Sequence, residues 1–231
     1  MSEPKLPLLP VKATGNGIPP VLHRIWVGGE PPAWVIDSWV RWNEFLEESV
    51  HEWEVISWTD FSIQDTPLER IADIADHYGL PPRGKADLLR VVAVSLYGGF
   101  YMDADVVPLR SLDDLIDNPA IPLWTTSHPE SREQRVLWNG GFGAQPGSQY
   151  LADILEHANR GIQRRVVNEH FLAGPRAYRQ YLPEDAITEW DFQFEATAAE
   201  RRTMAQGGRF NLEELRRKYP ARLKHIGPRE S

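Results

Sequence analysis

The chain has 231 residues, and 42% of them are hydrophobic, which is enough for a sizeable core in one domain. It contains no cysteine, so disulfides, thiolate metal sites and a cysteine nucleophile are excluded. No apolar run approaches about 18 residues, and the first residues lack the apolar stretch of a signal peptide. We therefore expect a cytoplasmic protein that does not enter a membrane.

The net charge of −8 is distributed unevenly along the chain. Residues 1–150 hold 11 Lys and Arg against 21 Asp and Glu, whereas residues 151–231 hold 14 against 12. Sequence-independent binding of nucleic acid needs a basic surface, which only the second part could supply. Solvated helix faces and a nucleic-acid partner are both compatible with that part.

Turn residues divide the chain into short strands and helices. Five prolines and two glycines among residues 1–20 predict a flexible lead-in, which we place at 1–18. The following pattern predicts strands at 21–27, 54–58 and 100–107, and helices at 34–48, 68–78 and 85–97. Further strands are predicted at 121–125, 142–144 and 187–194, and further helices at 149–160, 175–182 and 212–219. This alternation predicts an α/β fold with a largely parallel sheet, formed by residues 19–231 as one domain.

Two aspartates stand between apolar residues in the predicted strand 100–107. Alternate residues of a strand share one face, so Tyr101, Asp103 and Asp105 would point the same way. Carboxylates at this spacing lie about 6.5–7 Å apart, close enough to hold one divalent cation. With 14 aspartates in the chain, one Asp-x-Asp is also expected by chance, so the pattern alone leaves an ordinary strand as an alternative.

The helix before this strand carries a second charged pair. Asp87 and Arg90 are three residues apart and therefore adjacent on one side of the helix, opposite its main apolar stripe. That side is apolar elsewhere, so the pair is expected to be buried and to need partners. An internal ion pair is one interpretation, and a site for sugar hydroxyls and phosphate is the other. Gly98 and Gly99 turn the helix into the Asp-x-Asp strand, which predicts that all four charged side chains lie together.

These segments resemble the glycosyltransferases named for a sugar-binding region containing the DXD motif. That family includes Golgi α-mannosyl- and α-galactosyltransferases and is related to the large glucosylating bacterial toxins. The resemblance rests on five segments in the family's order: 23–28, 85–90, 96–106, 138–147 and 173–178. The block running from the helix through Gly-Gly to the DXD motif is the most specific of them.

The resemblance implies a GT-A fold, in which a nucleotide-binding, mixed and largely parallel sheet is flanked by helices. It implies that the DXD motif holds Mn²⁺ or Mg²⁺ on the diphosphate of the donor, with Asp105 as a metal ligand. Asp103 would contact the ribose, the sugar or the metal-bound water. His225 stands where the family places a histidine that closes over the metal, although the tryptophan that follows it in the family is absent here.

The resemblance also assigns the donor-binding residues. Asp87 and Arg90 would grip the transferred sugar and the phosphates, and Tyr101 would lie against the diphosphate. Trp26 would stack on the uracil while the backbone of its neighbours Ile25 and Val27 contacts the base. Asn139 would lie at the sugar or acceptor end, and Asp87, Arg90, Asp103 and Asp105 would form the catalytic group.

The sequence therefore predicts a metal-dependent retaining glycosyltransferase that uses a nucleotide sugar, with a UDP-sugar favoured over a GDP-sugar. The acceptor stays open between a saccharide, a protein and a modified base in DNA. Metal-dependent phosphoryl or nucleotidyl transfer is an alternative, because it also uses paired aspartates. A non-catalytic sugar-binding module rich in tryptophan is a third interpretation, against which the buried charged cluster argues.

Overall fold

The computed structural model describes residues 17–116, 123–127, 137–166, 168–182, 188–189, 192–193, 197, 199–200, 202, 211–219 and 223–225. The predicted flexible lead-in lies outside the described residues up to residue 16. Ile18, at its end, is buried in the same apolar cluster as Leu22 and Trp42. The packed part of the chain therefore includes residue 18.

Nine strands and eight helices are seen in the described residues. The strands are β1 (Val21–Trp26), β2 (Glu54–Thr59), β3 (Gly99–Met102), β4 (Val106–Pro108), β5 (Leu123–Ser127), β6 (Leu137–Ala144), β7 (Thr188–Glu189), β8 (Phe192–Gln193) and β9 (Leu223–His225). The helices are α1 (Ala33–Leu46), α2 (Pro67–His77), α3 (Pro82–Tyr97), α4 (Asp113–Ile116), α5 (Gln149–Gln163), α6 (Glu169–Leu172), α7 (Pro175–Tyr181) and α8 (Leu212–Lys218). None of these helices is long and apolar enough to cross a membrane.

The main sheet has six strands in the order β2-β1-β3-β6-β5-β7. Strands β2 and β3 both run parallel to β1, β6 runs antiparallel to β3 and β5, and β7 is parallel to β5. A second sheet has the order β4-β9-β8. The predicted α/β fold with a mixed sheet and flanking helices is confirmed.

Apolar side chains on both faces of the main sheet form two clusters. The larger cluster joins the sheet to α2, α3 and α5, and the smaller one contains Trp42 and Phe45 of α1. Helix α3 lies deep in the molecule, since eleven of its sixteen residues are buried. A charged side chain on the buried part of this helix must therefore find its partners inside the protein.

The predicted strand 100–107 is wrong as a single strand. It is divided into β3 and β4, which belong to different sheets, and Asp103 and Asp105 lie in the connection between them. The amide of Val106 donates to the carbonyl of Asp103 at 3.1 Å and closes this turn. Aspartate is a poor strand former and a good turn former, so the two aspartates end one strand before the next begins.

Two other predicted strands differ from the structure. The strand predicted at 142–144 is longer in the structure, where β6 begins at Leu137. The prediction missed its first part because the glycines at its centre hide the alternation that marks a strand. The segment 187–194 contains two short strands, β7 and β8, which pair in different sheets. Of the strand predicted at 121–125, residues 121 and 122 lie outside the described part.

A glycine pair controls how α3 leads into β3. Gly98 and Gly99 have φ angles of 68° and 93°, which favour glycine. A Cβ on Gly98 would collide with Pro146 and Pro19, and one on Gly99 would collide with the backbone of Val21. The chain can therefore reverse direction here and still pack β3 directly beside β1.

A buried histidine holds this turn in place. His23 on β1 is 0% exposed, its Nε2 lies 2.8 Å from the carbonyl oxygen of Gly98, and its Nδ1 accepts a hydrogen bond from Trp58 Nε1 at 3.1 Å. Because Nδ1 is an acceptor, the proton resides on Nε2 and is donated to Gly98. Burial lowers the pKa of His23 to about 4, although the Gly98 carbonyl opposes this shift. The ring is therefore neutral near pH 7.

The stability of the protein should fall as the pH falls from 6.5 to 4. In this window the unfolded chain takes up a proton on His23 that the folded chain does not bind, so protons favour unfolding. A pKa difference of this size corresponds to a loss of about 2–3 kcal/mol between pH 7 and pH 4.5. Urea unfolding at the two pH values measures it.

The matched control for this measurement is a histidine at the surface. His23→Gln should lose about 2–3 kcal/mol less than the wild type over this range, whereas His77→Gln, at an exposed position of α2, should lose as much as the wild type. An equal slope in the wild type and in His23→Gln would contradict the role of His23.

Candidate active site

A buried arginine connects the segments predicted to form the site. Arg90 of α3 places Nη1 3.0 Å from Asp103 Oδ1 and Nη2 3.1 Å from Asp87 Oδ1. Its Nη1 also donates to the carbonyl oxygen of Asn139 at 2.9 Å. The side chains of Arg90 and Asp87 are only 7% and 8% exposed. The arginine thus binds α3, the end of β3 and strand β6 to one another.

Asn139 completes the link between the helix and the strand. Its Nδ2 donates to Asp87 Oδ1 at 2.8 Å and to the carbonyl oxygen of Ala173 at 3.3 Å. It is 5% exposed, so these bonds form away from bulk water. The second bond ties the site to the segment that leads into α7.

Tyr101 holds the Asp103 carboxylate through a hydrogen bond. Its hydroxyl donates to Asp103 Oδ1 at 2.7 Å, and the guanidinium of Arg90 lies 4.5 Å from the centre of its ring. Burial raises the pKa of Tyr101 well above 10, against the opposing effect of Arg90. The hydroxyl is therefore protonated and acts as a donor that orients the Asp103 carboxylate.

The charges in this cluster stabilise one another. Burial alone would lower the pKa of Arg90, but Asp103, Tyr101 and Asp87 together raise it above its ordinary value. Arg90 therefore keeps its charge. Its hydrogen bonds go to protein groups in this structure, which indicates that it orients the two aspartates.

Gly140 is part of the site although glycine has no side chain that could bind a ligand. Its carbonyl oxygen accepts a hydrogen bond from the amide of Asp103 at 2.7 Å. A Cβ at this position would collide with Asp103 Oδ2 and with the ring of Trp138. Glycine thus leaves the space that the Asp103 carboxylate occupies. A glycine inside a strand signals such a close approach, but not which residue makes it.

Asp105 and His225 are brought near each other by the second sheet. Asp105 lies in the turn between β3 and β4 and is partly exposed. The next residue, Val106, pairs with His225 in the antiparallel ladder of β4 and β9. The backbone of His225 therefore lies beside the DXD turn, as a role over the metal would require, while its side chain lies outside the described part of the structure.

The residues present suit a cation that is shared with a substrate. Among the described residues, no group of three His, Asp or Glu side chains gathers closely enough to hold a metal alone. Magnesium-type cations are commonly held by one or two carboxylates together with substrate phosphates. The Asp103 carboxylate, which reaches the space above Gly140, and the partly exposed Asp105 match that donor set.

The end of β1 forms the neighbouring edge. Ile25 and Val27 bury their side chains in the larger apolar cluster, so only their backbone can meet a ligand. Trp26 is half-buried, and its ring meets that of Trp34 edge to face, with centroids 5.8 Å apart. A large aromatic surface thus lies where β1 ends.

Asp60 was missed by the sequence analysis. Its Oδ2 accepts hydrogen bonds from the amides of Gly28 and Gly29 at 2.8 and 2.9 Å. The carboxylate after β2 thereby holds the loop that follows Trp26. The parallel pairing of β1 and β2 could have suggested this contact, since both strands end at the same edge of the sheet.

A family description matches the middle of the chain. Residues 37–122 match the family described as a glycosyltransferase sugar-binding region containing the DXD motif. The matched part includes α3, the Gly98-Gly99 turn and both aspartates of the motif. The other resembling segments, at 23–28, 138–147 and 173–178, lie outside it.

A curated relative points in the same direction. Over 156 residues the chain is 27% identical to inositol phosphoceramide mannosyltransferase 3 of Schizosaccharomyces pombe. The aligned region covers 67% of this chain but only 40% of that protein. The chain therefore spans less than half the length of the relative that it matches.

Solved glycosyltransferases share the fold. PaToxG glycosyltransferase superposes with a TM-score of 0.52 at 16% identity, over 73% of this chain and 69% of the other. The galactosyltransferase LgtC, with donor and acceptor sugar analogs, gives 0.54 at 10% identity, over 90% and 87%. The catalytic domain of alpha-toxin from Clostridium novyi gives 0.52 at 8% identity, over 73% of each chain. The predicted GT-A fold and the resemblance to DXD-motif glycosyltransferases are confirmed.

Removing the buried guanidinium should strongly destabilise the protein. Arg90→Met leaves Asp87 and Asp103 without the charge that compensates them, which typically costs about 3–5 kcal/mol. Arg83→Met is the matched control on the same helix, because the side chain of Arg83 is 48% exposed and pairs with Glu169 near the surface. That change should cost less than about 1 kcal/mol.

Urea unfolding of the three proteins at neutral pH measures this difference. Similar losses for Arg90→Met and Arg83→Met would show that the buried cluster contributes no more to stability than a surface ion pair.

Proposed function

We propose that this protein is a metal-dependent, retaining glycosyltransferase that takes its sugar from a nucleotide-sugar donor. Two findings are the starting point: residues 37–122 match the DXD sugar-binding region, and the chain has the GT-A fold. The observation that carries the proposal is the cluster of Asp87, Arg90, Asp103 and Asn139 beside the DXD turn. It joins the most specific part of the family resemblance to an arrangement of buried polar groups that can recognise sugar hydroxyls.

The combined charge of the cluster and of Asp105 in the DXD turn supports a role for a cation. Three aspartates, at 87, 103 and 105, against Arg90 alone give these four residues a formal charge of −2. A diphosphate would be repelled by such a site. A bound divalent cation would supply the positive charge that stabilises the diphosphate leaving group. Asp103 and Asp105 would hold it, with His225 as a further candidate ligand.

The chain's own residues would then act on the sugar. Asp87 offers a carboxylate held by Arg90, and Asn139 offers an amide held by Asp87, so little reorganisation is needed when sugar hydroxyls bind. Breaking the sugar–phosphate bond builds positive charge at the anomeric carbon, which the negative cluster favours. Tyr101 and Arg90 keep Asp103 oriented throughout.

The base and the acceptor are assigned more coarsely. We propose a UDP-sugar ahead of a GDP-sugar, with Trp26 stacking on the base and the backbone of Ile25 and Val27 beside it. A saccharide, a protein and a modified base in DNA stay open as acceptors. Phosphoryl or nucleotidyl transfer stays an alternative, and the cytoplasmic location expected from the sequence stays a prediction.

A donor screen tests the proposal directly. Hydrolysis of UDP- and GDP-hexoses, mannose included, is followed with Mn²⁺, with Mg²⁺ and with a chelator. The proposed activity releases nucleoside diphosphate from at least one donor, only with metal, and NMR of the transfer product shows the anomeric configuration of the donor. Release of nucleoside monophosphate or of inorganic phosphate would favour the alternative reaction, and an inverted product would contradict retention.

Asp105→Asn should abolish metal-dependent turnover and leave the fold intact. The side chain is partly exposed in a turn, so the change removes a carboxylate ligand without disturbing the core. Asp73→Asn, on the exposed side of α2, is the control and should keep full activity. Wild-type donor hydrolysis by a folded Asp105→Asn protein in Mn²⁺ would exclude Asp105 as a metal ligand.

Trp26→Ala should weaken donor binding by about 1–3 kcal/mol, which is the usual contribution of a base stacked on an aromatic ring. Trp26→Phe retains an aromatic face and should retain most of the affinity. Calorimetric titration with UDP measures both variants, and thermal melting checks that they fold. If Trp26→Ala binds UDP with unchanged affinity, the tryptophan has only a packing role.

A further inference from the structure

Tyr178 carries a buried hydroxyl that the site described above does not use. The residue lies on α7 and is 0% exposed. Its hydroxyl has no hydrogen-bond partner among the residues that the structure describes. Buried polar groups are nearly always hydrogen-bonded, so this exception calls for a physical explanation.

The hydroxyl lies within the electrostatic reach of the candidate site. Arg90, Asp87 and Asp103 all influence the pKa of Tyr178, and of the two carboxylates Asp87 has the larger effect. The ring meets Phe142 of β6 edge to face at 5.3 Å, and Phe142 in turn contacts Tyr101. Tyr178 therefore lies on the α7 side of the cluster, packed against Phe142.

The state of the hydroxyl makes it a donor. Burial raises the pKa of Tyr178 well above 10, so the group is protonated at neutral pH. Tyr101 shows what such a group does when an acceptor is within reach, since its hydroxyl donates to Asp103 at 2.7 Å. Phenylalanine would fill the same space as Tyr178 without burying an unpaired polar group, so the hydroxyl has a cost in the free protein.

Asp87 is the candidate acceptor for the Tyr178 hydroxyl. Its Oδ1 is shared by Arg90 Nη2 and Asn139 Nδ2, at 3.1 and 2.8 Å. A sugar hydroxyl that binds to Asn139 or Asp87 would compete for these bonds. If the Asp87 carboxylate then turned towards α7, it could accept from the Tyr178 hydroxyl.

The backbone already connects α7 to the sugar side of the site. Asn139 donates to the carbonyl of Ala173, which lies just before Gly174 and Pro175 at the start of α7. A ligand that moves Asn139 therefore acts on the segment that carries Tyr178. Because we assign Asp87 and Asn139 to the sugar, these contacts favour a role for Tyr178 at the sugar rather than at the nucleotide.

We propose that Tyr178 is a positioning residue of the donor-sugar subsite, whose hydroxyl donates to Asp87 when the sugar is bound. This inference rests on the proposed glycosyltransferase function. It predicts that the hydroxyl contributes nothing to the stability of the free protein and becomes useful only in the complex with a nucleotide sugar.

Tyr178→Phe tests the proposal, with Tyr181→Phe as the matched control on the same helix. The Tyr181 hydroxyl is already hydrogen-bonded, to His157 and Arg160 of α5. Thermal melting, steady-state kinetics with the active donor, and calorimetry with the nucleoside diphosphate alone are compared for the three proteins.

We expect Tyr178→Phe to melt at the wild-type temperature or above it, because no hydrogen bond is lost. Its kcat/KM for the nucleotide sugar should fall by about tenfold or more, the size expected for one lost hydrogen bond to a charged group. Its affinity for the nucleoside diphosphate should stay within about twofold of the wild type, since only the sugar contact changes. Tyr181→Phe should keep wild-type kinetics.

Three results would overturn the inference. Unchanged kcat/KM in Tyr178→Phe would remove any role in the complex, and a lower melting temperature with unchanged kcat/KM would show a structural hydroxyl bonded to buried water. Equal weakening of the diphosphate and the nucleotide sugar would move the effect away from the sugar. In each case an active wild type leaves the proposed function standing, whereas a wild type that turns over no nucleotide sugar removes both.

Discussion

The arrangement of the site depends on one buried guanidinium. Arg90 is almost fully enclosed by protein, and removing a charge from water is costly unless opposite charges and hydrogen bonds replace the solvent. Asp87, Asp103 and the Asn139 carbonyl supply these partners, and they come from a helix, from the end of one strand and from a neighbouring strand. Satisfying a single charge therefore brings three distant parts of the sheet and its helix into register at the point where the chemistry would occur.

Hydrogen bonds also fix the backbone on both sides of this charge. The Gly98-Gly99 turn brings α3 into β3 at a sharp angle, and the neutral ring of His23 anchors that turn through the Gly98 carbonyl. On the other side, the carbonyl of Gly140 binds the amide of Asp103, so the last residue before the turn is paired to β6. The His23 ring is fully buried, so its bond to Gly98 meets little competition from water. The DXD turn itself is partly exposed, which is where a diphosphate and a cation could reach it.

The excess negative charge of the site explains why it would need a bound cation to hold a diphosphate. Arg90 is engaged by protein carboxylates, so its charge is already used to hold them in place. What remains for a ligand is a negative surface with oriented carboxylate oxygens. Such a surface suits sugar hydroxyls and a divalent cation, and it suits a bare diphosphate poorly. The charge of these residues and the match of residues 37–122 to a DXD sugar-binding region are separate observations, and both suit the proposed reaction.

The sequence by itself determined the local features: the α/β alternation, the buried face of α3, the adjacency of Asp87 and Arg90, and the glycine turn that leads to the two aspartates. Each of these follows from helix or strand periodicity within a few residues. Only the tertiary structure decided that Asp103 and Asp105 lie in a turn between two sheets, because whether a short apolar run continues or stops depends on which strands pair with it. It also decided that Asn139 bonds Asp87 and that Gly140 bonds Asp103, across 52 and 37 positions of the chain. Contacts at such separations come from how sheet and helices pack, and no pattern within one segment contains that information.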